Sequence, residues 1–391
     1  MKIKLNDKWT IKTAKELYTY TSGISKGSQF FGTGYPYLTF TEIFHNYFVP
    51  DELTSLVQSN DRERENCSIK RGDVFLTRTS ETDNELGMSC VALKDYPNAT
   101  FNGFTKRLRP LTDDVIPEYA GFYFRSPIFR AAVTSMSSII TRASLNEKML
   151  DKLPVCYPSK KAQQKIASIL SAYDKLIQNY KKQIKVLQTV ASELYKEWFV
   201  RFRFPGWQNA KFENGIPEGW KVEKLGTLAN ISTGKCNRED AEDDGIYPLF
   251  DRSQEIKKSN EWIKDCEAII VPGEGTSFIP RYYKGKFNLH QRCYCVEPKY
   301  PDFGKFLFYV LMLNRKYFLS VATGATVPSL RYNNFASMKF ILPEISLCNN
   351  FNKIANDIFA KVDNLQQQIT NLTQQRDLLL PRLMSGKLEV E

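Results

Sequence analysis

Three short stretches carry residue types that could do chemistry. Pro50-Asp51 followed by Glu63-Arg64-Glu65 has the carboxylates of a nuclease metal motif, but a glutamate stands where a lysine would stabilise the attacking water. Gly273-Glu274-Gly275-Thr276-Ser277 follows a strand-like run and could cradle a phosphate through backbone N–H groups. No lysine follows it, so a turn is the simpler reading. Glu239-Asp240-Ala241-Glu242-Asp243-Asp244 could hold a cation or could be an exposed polar loop. The eight cysteines, at 67, 90, 156, 236, 266, 293, 295 and 348, include no Cys-x-x-Cys pair, and His45 and His290 are the only histidines. That composition argues against zinc. Cys293 and Cys295 alternate about Tyr294 as on a strand and read as buried, reduced thiols.

Basic residues are the larger reservoir. Lys and Arg number 54 against 43 Asp and Glu, a net charge of +11 with a pI near 9.1, and the simplest partner for such a chain is a polyanion such as nucleic acid. A merely solvated basic surface is the alternative. With 42% hydrophobic and 25% charged residues the chain has the composition of a folded protein, and 391 residues predict two to three domains. Met1 to Lys15 is charged and lacks an apolar core, and no apolar run is long enough to span a bilayer. The expectation is a cytoplasmic chain with no membrane partner.

Positioning such residues is the task of a repeated scaffold. At an offset of 211, Trp9 matches Trp220, Leu17 matches Leu228 and Gly23 matches Gly234. At an offset of 185, Thr141 matches Thr326, Ser144 matches Ser329, Leu145 matches Leu330 and Pro158 matches Pro343. Two half-chains are therefore copies of one plan. The offset falls from 211 to 185, so the second copy is 26 residues shorter, and the polar stretch Pro50 to Gly72 is the expected place for the difference.

Each copy reads as a mixed α+β segment followed by a long helix. Strand candidates are Asp73 to Thr79, Ala268 to Val271 and Gln291 to Val296; short helices are expected over Tyr119 to Phe124 and on toward Val133, and over Lys305 to Leu319. After Pro158 the apolar positions Tyr173, Ile177, Tyr180, Ile184, Leu187, Ala191, Leu194 and Trp198 step by three or four. After Pro343 the series is Val362, Leu365, Ile369, Leu372, Arg376 and Leu379. Such a narrow stripe predicts a heptad seam between two helices, the alternative being a single amphipathic helix lying on a core. About 40 residues each would span about 60 Å. Because the chain runs helix, globular segment, helix, antiparallel pairing is expected, returning Leu388 to the neighbourhood of Trp9 and taking the end of the first helix to Trp220. The fold class is α+β: two pseudo-repeated mixed α/β domains separated by two long helices that form an antiparallel coiled coil. The expected domains are 1–158 and 205–343, with spacer helices 159–204 and 344–391. DNA presents equivalent major-groove faces about 34 Å apart, so two readers on such a spacer could touch separate half-sites.

The run Asn214-Gly215-Ile216-Pro217-Glu218-Gly219-Trp220-Lys221-Val222-Glu223-Lys224-Leu225-Gly226 resembles the opening segment of a target recognition domain in specificity subunits of type I restriction-modification enzymes. Gln163-Gln164-Lys165-Ile166-Ala167, Leu194-Tyr195-Lys196-Glu197-Trp198-Phe199 and Leu378-Leu379-Leu380-Pro381-Arg382-Leu383-Met384-Ser385-Gly386-Lys387-Leu388 are similar to that family's helical regions. The first copy opens on Asp7-Lys8-Trp9-Thr10-Ile11 and lacks the Pro-Glu-Gly before its tryptophan. The resemblance implies a non-catalytic reader of a bipartite DNA target that docks two methyltransferase subunits and, through them, restriction and translocase subunits. S-adenosylmethionine, ATP and Mg are then expected in the partner subunits, with no cofactor in this chain. Neither an Asn/Asp-Pro-Pro-Tyr tetrapeptide for base methylation nor a Gly-x-x-x-x-Gly-Lys-Ser/Thr phosphate loop occurs.

Arginine can read guanine, and asparagine or glutamine can read adenine, with two bonds each. The candidates for DNA contact are Lys26, Arg71, Arg78, Lys106, Arg107 and Arg142 in the first copy, and Lys235, Arg238, Arg281, Arg292, Arg331 and Tyr332 in the second. A solvated surface charge is the alternative for each. Lys160, Lys161, Lys165, Lys175, Lys181, Lys182 and Lys185 either follow phosphate or only solvate the helix. The competing functional reading is a coiled-coil adaptor without DNA readout. A stand-alone nuclease or regulator would need a metal site or a dimerising recognition helix that the sequence does not display.

Overall fold

The two tryptophan-led segments fold alike. In the computed structural model, which describes residues 9–80, 85–136, 143–300 and 303–390, Thr10–Thr13 and Lys221–Lys224 are strands, Ala14–Leu17 and Leu225–Leu228 are single helical turns, and Tyr18–Ser22 and Ala229–Thr233 are the strands that follow. Leu17 and Leu228, which end the turns, are both buried. Pro154–Tyr157 and Lys339–Leu342 return to pair antiparallel with the two opening strands, and each leads into a long helix.

The chain divides into two units, Met1–Asn179 with Gln368–Glu391, and Tyr180–Gln367. In the first, Tyr18–Ser22, Thr105–Pro110, Val74–Thr77 and Ser89–Val91 lie side by side in that order, all antiparallel, with a smaller sheet of Leu56–Val57, Phe31–Leu38 and Thr100–Phe101. Val74 and Leu76 face a core containing Tyr119, Phe122 and Phe124, while Phe75 faces a second core containing Tyr37, Cys90 and Phe101. Burial on both faces is why this strand reads as an uninterrupted apolar run.

In the second unit the order is Ala229–Thr233, Cys293–Pro298, Lys264–Pro272, Arg281–Leu289, Tyr247–Phe250 and Lys257–Ser259, parallel only where Tyr247–Phe250 meets Arg281–Leu289. Ile269 and Val271 face the helices, and Ala268 and Ile270 face Phe250, Phe287 and Leu289. Mostly antiparallel sheets with helices on one face make both units α+β.

Three details differ from expectation. Each short helix is broken: Pro117–Tyr123 stops before Pro127–Met136, because the residue ahead of a proline is held out of the helical region, and Gly304–Leu313 stops at Asn314, whose Nδ2 donates to the Val310 carbonyl before Arg315–Val321 resumes. The third expected strand starts at Cys293, since Gln291 and Arg292 form a turn. The shortening is shared. Leu38 and Phe250 occupy equivalent places, as do Val74 and Ile269, so 251–268 does the work of 39–73, which is most of the difference; smaller parts come from the hairpin between Val74–Thr77 and Ser89–Val91 and from residues 92–99, which interrupt in the first unit what is one strand, Arg281–Leu289, in the second.

The long helices run Lys160–Tyr195, extended by a wider turn over Lys196–Val200, and Ile345–Met384, which continues through Pro381. Within the first unit, Ile166, Ala167 and Leu170 share a core with Leu380, Leu383 and Met384, and Asp174 pairs with Arg376. Within the second, Tyr195 and Trp198 pack on Phe351. Numbers rise along one helix as they fall along the other, so the pairing is antiparallel. Trp9, Leu388 and Val390 pack against the first unit's core, and Phe199 packs on Trp220 in the second.

The glycines at the repeat positions have a common cause. A Cβ at Gly23 would overlap the carbonyl oxygens of Phe101 and Asn102; one at Gly234 would overlap that of Leu289 and crowd that of His290. Both glycines let Ile24 and Cys236 bridge in parallel to Asn102 and His290. Gly23→Ala and Gly234→Ala are each expected to lose about 1–3 kcal/mol, because backbone rather than a pliable side chain must move. Hydrogen exchange should report the loss in the mutated unit; unchanged protection in both variants would contradict the close approach.

Candidate nucleic-acid interface

Several loops of the second unit meet at one edge. Gly234 brings Cys236 to His290, after which Gln291 Nε2 donates to Asn237 Oδ1 at 2.7 Å. The Gly273 N–H donates to the Arg292 carbonyl at 2.8 Å, which sets Glu274 beside Arg292. Arg252 arrives from the loop after Tyr247–Phe250, and Ser329 bridges to both Glu274 and Thr323. Between these loops lies a cleft of about 310 Å³ lined by Asp251, Arg252, Glu274, His290 and Val327.

The electrostatics of this edge are built rather than incidental. Glu274 accepts from Arg252 Nη1 at 2.8 Å and from Arg292 Nη1 through its other oxygen. Burial, reinforced by Arg252, keeps the His290 imidazole below its ordinary pKa, and its Nδ1 accepts the Arg292 N–H at 2.9 Å, as a neutral ring can. Burial pushes Asp251 up, but Lys257 and Ser253 outweigh it and hold the carboxyl at about 2.

The sequence candidates separate into groups. Lys235, Arg292, Arg331 and Tyr332 are exposed, the first two at this edge and the others just past Ser329. The backbone of Arg238 lies in the short turn Arg238–Asp240. Arg281 is a correction: its Nη groups donate to the Asp251 and Ser253 carbonyls at 2.5 and 2.8 Å, so it pins the loop that carries Arg252. Arg107 is a second correction, being 5% exposed and spent on the Asn66 and Ser68 carbonyls and Thr21 Oγ1.

In the first unit Lys26 pairs with Glu63 at 2.8 Å and Lys106 with Glu147 at 2.8 Å, both near the Gly23 edge. Arg78 occupies the place of Gly273: its N–H donates to the Phe104 carbonyl at 3.0 Å, and its carbonyl accepts from Leu145, as Gly273 accepts from Leu330. Arg71 pairs with Glu118 beside Gln164 and Lys175 of the long helix, in a separate cleft. Arg142 lies outside the described residues.

The chemical motifs resolve into ordinary structure. Glu63 caps the helix Asp61–Asn66 by accepting the Asn60 N–H, and Lys26 holds its carboxyl below the usual range. Asp240 accepts the Asn237 N–H, and Glu242 accepts from Asn260. Among the described residues no group of three or more His, Cys, Asp or Glu side chains is placed to hold a metal, and no helix is long and apolar enough to cross a membrane.

Sequence reasoning missed Arg252, the Asn237–Gln291 pair and an aromatic tip on the first unit, where Phe30, Phe31 and Tyr35 stay exposed and Arg64 stacks 3.8 Å from the Tyr35 ring. The glycines of Phe31–Leu38, Gly32 and Gly34, both at positive φ, were the available signal for that tip.

Comparison with known proteins places this arrangement. The family described as "Type I restriction modification DNA specificity domain" matches residues 6–189 and 217–378. The type I restriction enzyme MjaIX specificity subunit of Methanocaldococcus jannaschii is 25% identical over 99% of this chain and 95% of its own length. The EcoDI specificity subunit of Escherichia coli is 31% identical over 45% of this chain and 40% of its own. The crystal structure of the type I restriction-modification S subunit from M. genitalium superposes with a TM-score of 0.61 at 16% identity, covering 97% of this chain and 96% of that one.

Proposed function

Because the chain belongs to the type I restriction-modification DNA specificity family, we propose that it is the DNA-reading, non-catalytic subunit of such an enzyme. The family's domain occurs twice, and two such domains fit a bipartite target. The observation that carries the reading is the duplicated edge at Gly23 and Gly234, set in units whose long helices pair antiparallel. Residues 1–158 and 205–343 each read one half-site, and 159–204 and 344–391 set the spacing and offer the docking surface for two methyltransferase subunits. Restriction and translocase subunits join through the complex, in the cytoplasm. S-adenosylmethionine, ATP and Mg act in those partners. Lys235, Arg238, Arg292, Arg331 and Tyr332 on one unit, and Lys26, Arg78 and Lys106 on the other, contribute DNA contacts, the paired lysines by exchanging a carboxylate for phosphate.

The test is assembly. The purified chain alone should neither methylate nor cleave duplex DNA. With adenine methyltransferase subunits it should co-purify at two per chain and direct methylation to one sequence. Methyl transfer by the lone chain would sink the proposal.

A further inference from the structure

Glu274 is 13% exposed, yet it bonds two arginines whose side chains remain 48% and 55% exposed, Arg252 and Arg292. A guanidinium carries five N–H donors. Each arginine gives one to Glu274, and no other side-chain bond of either is found among the described residues, so most donors remain for another acceptor. Both are held from behind. The Arg292 backbone is fixed by His290 Nδ1 and the Gly273 N–H, and the Arg252 loop by Arg281. The ordering cost of two long side chains is therefore met before binding.

Phosphate and base make different demands on such a pair. A phosphate contact needs positive charge and tolerates a mobile side chain. A nearly buried carboxylate between the guanidiniums subtracts charge and repels phosphate, while it fixes their planes. Fixed planes are what two parallel bonds to the O6 and N7 of guanine require. Two guanidiniums on one carboxylate are also close enough for neighbouring base pairs, which stack about 3.4 Å apart.

We infer that Arg252 and Arg292 each read a guanine, at neighbouring base pairs of the half-site bound by the second unit, with Glu274 as their positioning residue. The inference rests on the reading of the chain as a DNA specificity subunit. Among the described residues the first unit has no such clamp: Phe104 stands in the place of Arg292, and Thr79 follows Arg78 as Glu274 follows Gly273. The described residues of the two edges therefore offer different chemistry to their half-sites.

Selection of the full chain on a randomised duplex pool, followed by sequencing of the bound fraction, tests this. The wild type should enrich a two-part motif with adjacent guanine-containing pairs in one part. Arg252→Ala and Arg292→Ala should each lose discrimination at one of those positions by about 10- to 100-fold and leave the other part unchanged. Arg292→Lys keeps the charge and should not restore discrimination. Glu274→Gln keeps both arginines and should relax both positions while raising affinity for unrelated duplex. Uniform weakening across all sequences in the alanine variants, or full discrimination in Arg292→Lys, would assign the arginines to phosphate and overturn the inference. A motif without guanine in either part overturns it too, whereas a wild type that enriches no motif overturns the specificity-subunit reading with it.

Discussion

Arg376→Ala is expected to destabilise the first unit by about 1–3 kcal/mol, between the scale of an exposed ion pair and that of breaking one partner of a fully buried one. Arg376 takes a position in the helical seam that the spacing gives to leucine or isoleucine. Its side chain is 14% exposed, and Nη1 lies 2.6 Å from Oδ1 of Asp174 on the other long helix, whose side chain is 21% exposed. The guanidinium also lies 5.1 Å from the Tyr47 ring centre and bonds Asp377 at 2.8 Å. Alanine removes all three contacts and leaves the Asp174 carboxylate in a place poorly reached by water. The double variant Asp174→Leu/Arg376→Leu should recover most of the loss, since apolar residues of similar volume commonly replace a buried pair without penalty. Denaturant unfolding followed by hydrogen exchange in residues 9–179 is the measurement. A single variant as stable as the wild type would mean that Asp174 and Arg376 contribute no coupling across the helices.

Affinity for duplex DNA is expected to fall about 1000-fold between 50 and 200 mM salt, as for a protein that neutralises roughly six phosphates at about −0.9 in slope for each. The charge available for this is identifiable. Lys161, Lys165, Lys175, Lys181, Lys182 and Lys185 along the first long helix, and Lys235 and Arg331 on the second unit, are exposed and take part in no ion pair among the described residues. Lys26, Lys106 and Arg71, by contrast, already have carboxylate partners. A plot of log affinity against log salt that stays flat would favour a coiled-coil adaptor over a DNA reader. Specificity should survive the salt better than affinity, because base contacts release few counterions.

The parts legible in the sequence are those that local physics forces to repeat. Gly23 and Gly234 are each excluded from carrying a Cβ by a neighbouring carbonyl, so the same residue is required twice. The seam residues Ile177, Ala191, Val362 and Leu365 are buried in the long helices, and a helix announces its buried side through spacing alone. Burial of a charge is not announced. Arg107 sits in Thr105–Pro110 between the partly exposed Lys106 and the buried Leu108, and nothing in that string says which basic side chain turns inward. The clamp was hidden for another reason: Arg252, Glu274 and Arg292 belong to three loops brought together only by the pairing of Lys264–Pro272 with Cys293–Pro298 and of Tyr247–Phe250 with Arg281–Leu289. Contacts so distant in sequence follow from topology, which composition and spacing do not encode.

The division of the long helices between units also orders events on the ribosome. The second unit is one continuous segment, Tyr180–Gln367, but the first needs Gln368–Glu391 as well, and its core contains Leu380, Leu383 and Met384. At about 5–20 residues per second, synthesis of the intervening chain takes about 10–40 s. Throughout that interval Ile166, Ala167 and Leu170 have no closing helix, while the later segment can already complete its own core. The N-terminal half of this protein is made first and finished last, and its uncovered helix is what chaperones and proteases meet on the nascent chain.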